Sequence, residues 1–229
     1  MIRSTLLPLM MAFPLVAFSQ CPTSGTVLFD GYDYPVVSIG MQCWFAENLG
    51  AIHFSDGAGM LVVAEPAQWE ELSTSDIPKT SVVTRKGVPV GEGRVYNAAA
   101  VRSGKLCPAG WHVPTDDDWQ RLETALGLSS AEAQKTGFRG HHAEQLRGNE
   151  ERYVEWSGLD AFGFRALPGG FMEASGECWN WGDSGFWWTS SEWKGGGELW
   201  MRSLSNWGEG MYRSIHPYGN GLSVRCLKD

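Results

Sequence analysis

Apolar residues along this chain come in short bursts cut by Gly, Asp and Pro, rather than in long helical stripes. VLFDGYDYPVVSIGMQCWFAENL (27–49) starts with an apolar run, turns at Asp30-Gly31, resumes over Tyr34–Ile39, turns again at Gly40 and ends in Gln42–Phe45. Bursts of this length between turn residues predict strands and hairpins. Residues 50–93 are weakly periodic. They hold the loop HFSDGAG and a helical candidate, AQWEEL (67–72), and predict an irregular excursion. YNAAAV (96–101) predicts a short helix. From Gly163 onward GFRALPGG, GFWWTSSE, ELWMRSL and LSVRC alternate with glycine turns, and no helix-length pattern follows residue 150.

One helix is specified sharply. In GKLCPAGWHVPTDDDWQRL (104–122), Pro114 keeps the residue before it extended, Thr115 stands as N-cap, and Asp116, Asp117 and Asp118 fill the first turn, where negative charge suits the helix dipole. Asp118 occupies the capping-box place, although Glu would reach back better. Trp119, Leu122, Ala125 and Leu126 predict one buried face, and Gly127 ends the helix. Consecutive helical residues splay about 100° apart, so the three aspartates do not converge on one calcium ion unaided. His112 reads as a packed or hydrogen-bonded histidine. A second short helix is expected over 141–147, where His141 and His142, being adjacent, face different ways.

The first residues change the picture of where the chain works. Arg3, an apolar stretch from Leu6 to Phe18 and the small-x-small pattern Ala17-Phe18-Ser19 predict a signal peptide over 1–19, too short to anchor a mature protein. Gln20 is a poor residue to precede a lipidated Cys21. The expectation is a secreted or cell-surface protein with no membrane insertion after cleavage and one domain over 20–229. The net charge of −8 becomes −9 once Arg3 leaves. Such a chain lacks the basic footprint of a nucleic-acid binder. The 29 glycines are nearly twice the usual ~7%, and 12 tryptophans supply large flat side chains.

Five cysteines in an exported chain predict disulfides with one thiol left over. Cys21 and Cys43 bracket the first hairpin unit and can bridge it. No CxxC or CxxH spacing marks a zinc site.

DGYDYPVVSIGMQCWFAENL, YNAAAV, LCPAGWHVPTDDDWQRL, GFRALPGGF, GFWWTSSE and GLSVRC, in that order from Asp30 to Cys226, resemble the motifs of the Fibrobacter succinogenes major paralogous domain family. The chain departs from the pattern where YNAAAV replaces an aromatic YNWYAV, where Phe45 replaces methionine, and across 50–93. The resemblance implies an α+β, C-type lectin-like mixed fold, akin to the formylglycine-generating group, with short twisted antiparallel strands, two or so helices and long ordered loops. It also implies a Cys107–Cys226 bridge, with Cys21–Cys43 as the second and Cys178 free. Cys107 is then a staple and not a catalytic or metal-binding residue.

The functional expectation rests on residues 171–220, where Trp179, Trp181, Trp193, Trp207, Tyr212 and Tyr218 lie among Asn180, Asp183 and Asn206. Indole faces beside amides and carboxylates suit a binding surface, because sugars offer CH faces to stack and hydroxyls to bond. Trp187, Trp188 and Trp200, in strand motifs, are expected in the core. The expected function is non-enzymatic binding or adhesion, with a glycan or a cell-surface protein as partner and no cofactor. Calcium enters only if Asn180, Asp183 and Glu192 converge. Two rivals stand beside this: an enzyme, which needs a reactive thiol pair or a Ser190–His216 triad without its usual nucleophile elbow, and a purely structural envelope component.

Overall fold

The computed structural model describes residues 21–229 except 86, 87, 90–92, 152 and 154; the expected leader 1–19 and its cleavage point lie outside the described residues. The chain opens on a meander of β1 (Thr26–Phe29), β2 (Tyr32–Ile39) and β3 (Gln42–Phe45). Asp30 and Gly31 both take positive φ, +48° and +78°, so the two-residue link has the twist that hairpins favour. The described residues between 50 and 93 form more regular structure than their pattern predicts. They carry β4 (Leu61–Val62), α1 (Pro66–Glu71), β5 (Lys79–Ser81), the small hairpin β6 (Thr84–Arg85) and β7 (Val88–Pro89), and lead into β8 (Val95–Tyr96). The candidate at 67–72 is realised as α1, whose Trp69 is fully buried and donates Nε1–H to the Gly219 carbonyl at 3.0 Å.

The remaining elements are α2 (Ala98–Arg102), β9 (Trp111–His112), α3 (Asp116–Ala125), α4 (Ser130–Ala133), β10 (Gly137–Arg139) and α5 (Ala143–Leu146), followed by β11 (Gly169–Met172), β12 (Cys178–Trp181), β13 (Ser184–Glu192), β14 (Glu198–Ser205), β15 (Met211–Pro217) and β16 (Leu227–Lys228). The fold is therefore strand-rich with short helices. The expectation of two or so helices is corrected to five among the described residues, and only α3, at ten residues, exceeds two turns. The helix expected over 141–147 shrinks to the four residues of α5.

Two larger sheets organise the molecule, one ordered β1-β2-β3-β16-β9 and the other β10-β15-β14-β13-β11-β12. The second is covered on both faces. Trp187 and Trp188 are adjacent on β13 and so point to opposite sides. Trp188 joins Leu199, Met201, Tyr34, Phe45 and Trp111 in one core. Trp187 joins Leu204, Met211, Trp44, Trp119 and Phe164 in the other. Both indoles are fully buried, as expected of strand-motif tryptophans. The parallel contact of β11 with β13 brings Gly170 opposite Gly185; a Cβ at Gly185 would lie 2.6 Å from the Leu167 carbonyl, so no larger residue fits that approach.

α3 has the predicted capping box. The Thr115 side chain accepts the Asp118 N–H at 3.1 Å, and Asp118 accepts the Thr115 N–H at 2.9 Å. His112 is hydrogen-bonded as expected, its Nε2 3.2 Å from Asp118 and its Nδ1 2.6 Å from Asp229. Trp119 and Leu122 are buried, but Ala125 is exposed and Leu126 only partly covered, and Glu123 takes the inward place instead. The reason is a buried ionic network between α3 and the second sheet. Arg202 donates to Glu123 at 2.6 Å and to Asp116 at 2.7 Å, Arg213 donates twice to Asp116 at 2.9 and 2.7 Å, and Arg139 closes on the other oxygen of Glu123. Asp116 is thus more than a dipole complement. Burial raises its pKa, but the hydrogen bonds and charges of Arg213 and Arg202 outweigh it and hold the carboxyl below its ordinary value.

Disulfides join Cys21 to Cys43 and Cys107 to Cys226, and Cys178 is a free thiol.

Candidate functional site

The expected aromatic surface is divided by the strands that carry it. Asp183 directly precedes the nine-residue β13 and Glu192 ends it, a separation of about 30 Å at the usual strand rise. Asn180, Asp183 and Glu192 therefore do not converge, and Glu192 instead accepts Arg102 Nε at 2.8 Å. At one end of β13 and β14, the Asp183 carbonyl accepts the Asn206 N–H at 2.9 Å, next to the 63% exposed Trp207. At the other end lie Trp193, 38% exposed, and Tyr218, whose N–H donates to the Gly197 carbonyl and whose ring lies under the Arg102 guanidinium at 4.9 Å. Trp179 is on the edge strand β12, half exposed, with Nε1 3.2 Å from Glu173. Asn180 beside it is exposed at φ +55°, and Trp181 is partly buried between two cores, edge-on to Tyr153 at 5.9 Å.

Two of the expected residues do share a site. Trp193 and Tyr212 line one groove of about 360 Å³ together with Trp200, Ser214, Ile215, Thr136 and Gly137. β10 pairs with β15 only as far as Gly137 opposite Arg213, and the groove lies where that pairing stops. The rings of Trp193 and Trp200 meet edge to face at 5.2 Å, and the Arg213 guanidinium stacks 3.7 Å from the Trp200 ring. Because Arg213 also grips the buried Asp116, the Trp200 wall is tied to the interior of the fold. Tyr212 packs on Phe138 at 4.9 Å. The groove thus has two touching indoles above Ile215, while Tyr212 and Ser214, which pair with Ser203 and Met201 on the opposite sheet face, border it only at the sheet edge.

Trp200 corrects the expectation that strand-motif tryptophans are all core. It shares a sheet face with Arg202 and Leu204, which points it inward by strand period, yet it is only partly covered and lines the groove. The alternation was visible in the sequence; where α3 and α4 stop covering that face was not.

The residues of the proposed serine triad are placed differently. His216 sits among Phe171, Phe186 and Trp188, burial holds its pKa down to about 4, and its Nδ1 lies 2.7 Å from the Asn220 amide. Ser190 donates its backbone N–H to the Pro114 carbonyl and lines a different depression, with Arg102 and Glu192. Among the described residues, no three His, Cys, Asp or Glu side chains cluster so as to hold a metal ion, and no helix is long and apolar enough to cross a membrane.

The family model described as the Fibrobacter succinogenes major domain matches residues 37–228. No curated protein and no solved structure matches the chain.

Proposed function

The chain belongs to the Fibrobacter succinogenes major domain family, and from that premise we propose that it is an exported, non-enzymatic binding module of C-type lectin-like build whose aromatic groove takes a glycan chain. The observation that carries this reading is the meeting of the Trp193 and Trp200 rings in one open groove. Pyranose rings present flat CH faces that lie on indoles, and their hydroxyls find a partner in Thr136. The two disulfides support work in an oxidising compartment, outside the cytoplasm. The rigid backing of the groove reduces what must be ordered on binding, which is where a binding platform gains affinity.

Glycan-array binding followed by calorimetry tests the proposal. The wild-type protein binds a defined set of polysaccharides. Trp193→Ala weakens that binding by about tenfold, the loss of roughly 1.4 kcal/mol expected for one stacking ring. Trp207→Ala, at a more exposed indole outside the groove, leaves it unchanged. Binding that depends on Trp207 and not on Trp193 would move the surface elsewhere, and an array without binding would sink the glycan reading.

A further inference from the structure

A second cavity, of about 400 Å³, opens on the meander side of the molecule and is lined by Asp30, Tyr32, Tyr34, Glu47, Asn48 and Arg165, among others. These residues come from three separated stretches of the chain. The floor is aromatic: Tyr34 stacks on Phe45 at 4.8 Å, and the half-exposed Tyr32 stands edge-on to Tyr34 at 4.8 Å. The polar wall consists mostly of acceptors. Glu47 accepts the Tyr32 hydroxyl at 2.7 Å and also pairs with Arg165, whose other terminal nitrogen donates to Glu150 at 2.9 Å. Arg165 is thereby committed to two glutamates and is poorly placed to receive an anion. Asp30 accepts the backbone N–H groups of Ile52 at 2.6 Å and His53 at 3.1 Å and faces His53 Nδ1 at 2.7 Å. Burial tends to raise its pKa, but these bonds prevail and keep it below the ordinary value.

The interior holds this wall in place. Asn48 accepts Trp187 Nε1–H at 2.8 Å and Arg225 Nε–H at 3.0 Å. The buried Arg225 donates further to the carbonyls of Phe164 and Arg165, and Asp160 accepts the Arg165 N–H at 2.7 Å. Arg165 is thus fixed at φ +47°, a left-handed conformation that costs a non-glycine residue about 1–2 kcal/mol. A preorganised cavity with ring faces, whose surrounding carboxylates Asp30, Glu47, Glu150 and Asp160 outnumber the two engaged guanidiniums of Arg165 and Arg225, attracts positive charge. We propose that this cavity binds an organic cation, a primary ammonium or guanidinium group on an aliphatic stem.

Amide chemical-shift titration of the whole exported chain with agmatine and cadaverine tests this. The expected result is saturable shifts at Gly50 and Gly93, both in the cavity lining, that weaken with added salt. Binding weakens about tenfold in Tyr32→Ala and in Glu47→Gln; the half-exposed Tyr32 keeps the test valid if Glu47→Gln does not fold. Blocked lysine and arginine amides separate the two sources of such a group. If they bind as the free amines do, the natural occupant is a basic side chain of a peptide; if only the free amines bind, it is a small molecule. Glucose or citrate shifting the same amides as strongly, amine binding that survives both substitutions, or no saturation by about 10 mM amine, an affinity weaker than roughly −3 kcal/mol, would each overturn the proposal.

Discussion

Replacing Asp116, Asp117 and Asp118 by Asn, one at a time, perturbs three neighbouring carboxylates that the fold uses in three ways. Asp116 Oδ1 accepts from Arg202 and Arg213, and its Oδ2 accepts from Arg213 and Gln120. Whichever oxygen becomes the amide nitrogen then faces a donor, and three guanidiniums are left against Glu123 alone. Breaking a buried ionic group in this way costs about 3–5 kcal/mol. Asp118 is held down to about 2 from an ordinary 3.8; burial opposes the shift, and the hydrogen bonds of His112 and Thr115 prevail. By linkage that difference is on the order of 2 kcal/mol of stability at neutral pH. Asp117 is exposed, and its charge contributes only the helix-dipole term, about 0.3–1 kcal/mol.

Equilibrium urea unfolding at pH 7 reads all three. With a slope of about 2 kcal/mol/M, Asp116→Asn lowers the midpoint by about 2 M, Asp118→Asn by about 1 M and Asp117→Asn by less than about 0.5 M. The pH arm applies to Asp116 and Asp118, whose carboxyls are both held below the ordinary value. A carboxyl whose folded pKa is depressed stabilises above its unfolded pKa, and that stability is lost as pH falls from 3.8 through about 2. Wild type and Asp118→Asn therefore converge in acid. Equal effects at the three positions would refute the partition into network, dipole and cap.

Opening Cys107–Cys226 by double alanine substitution, which leaves no unpaired hydroxyl in the core, frees a 119-residue loop and costs about 4.9 kcal/mol of loop-closure entropy, against about 3.4 kcal/mol for the 22-residue Cys21–Cys43 loop; denaturant midpoints that rank the other way would contradict this. Lys79 is fully buried, its amine donates to the Trp69 carbonyl at 2.7 Å, and burial holds its pKa down to about 8 from 10.5. The folded state thus disfavours the charged amine, and the penalty is complete below pH 8 and relieved as pH rises to 10.5. Over that window wild type gains up to about 3 kcal/mol of stability relative to Lys79→Met. Thiol titration of the folded, unreduced protein finds one reactive group, Cys178, and three or more would contradict the disulfide assignment.

Local features were readable from sequence because their causes are local. Thr115 and Asp118 are three residues apart and made the capping box legible, and Asp30-Gly31 announced its hairpin. The Cys107–Cys226 bridge was readable only through the family resemblance, since 119 residues separate its ends. The buried ionic network had no such signal. Arg139, Arg202 and Arg213 come from three strands, and nothing near any of them indicates that Glu123 will turn inward while Ala125 turns out. For the same reason the groove was only half legible. Trp193 and Tyr212 stood out as aromatic residues among polar ones, whereas the role of Trp200 depends on where the covering helices end.

Leu227 pairs with Trp44 of β3 on one side and with His112 of β9 on the other, so β16 occupies an interior slot of its sheet. A chain synthesised from its N-terminus has made both flanking strands long before the residue that joins them exists. Until then β3 and β9 present bare edges able to template mispairing. Assembly of this sheet waits for residue 227 to be made, and the period before it, rather than the finished fold, is when those edges are most open to mispairing.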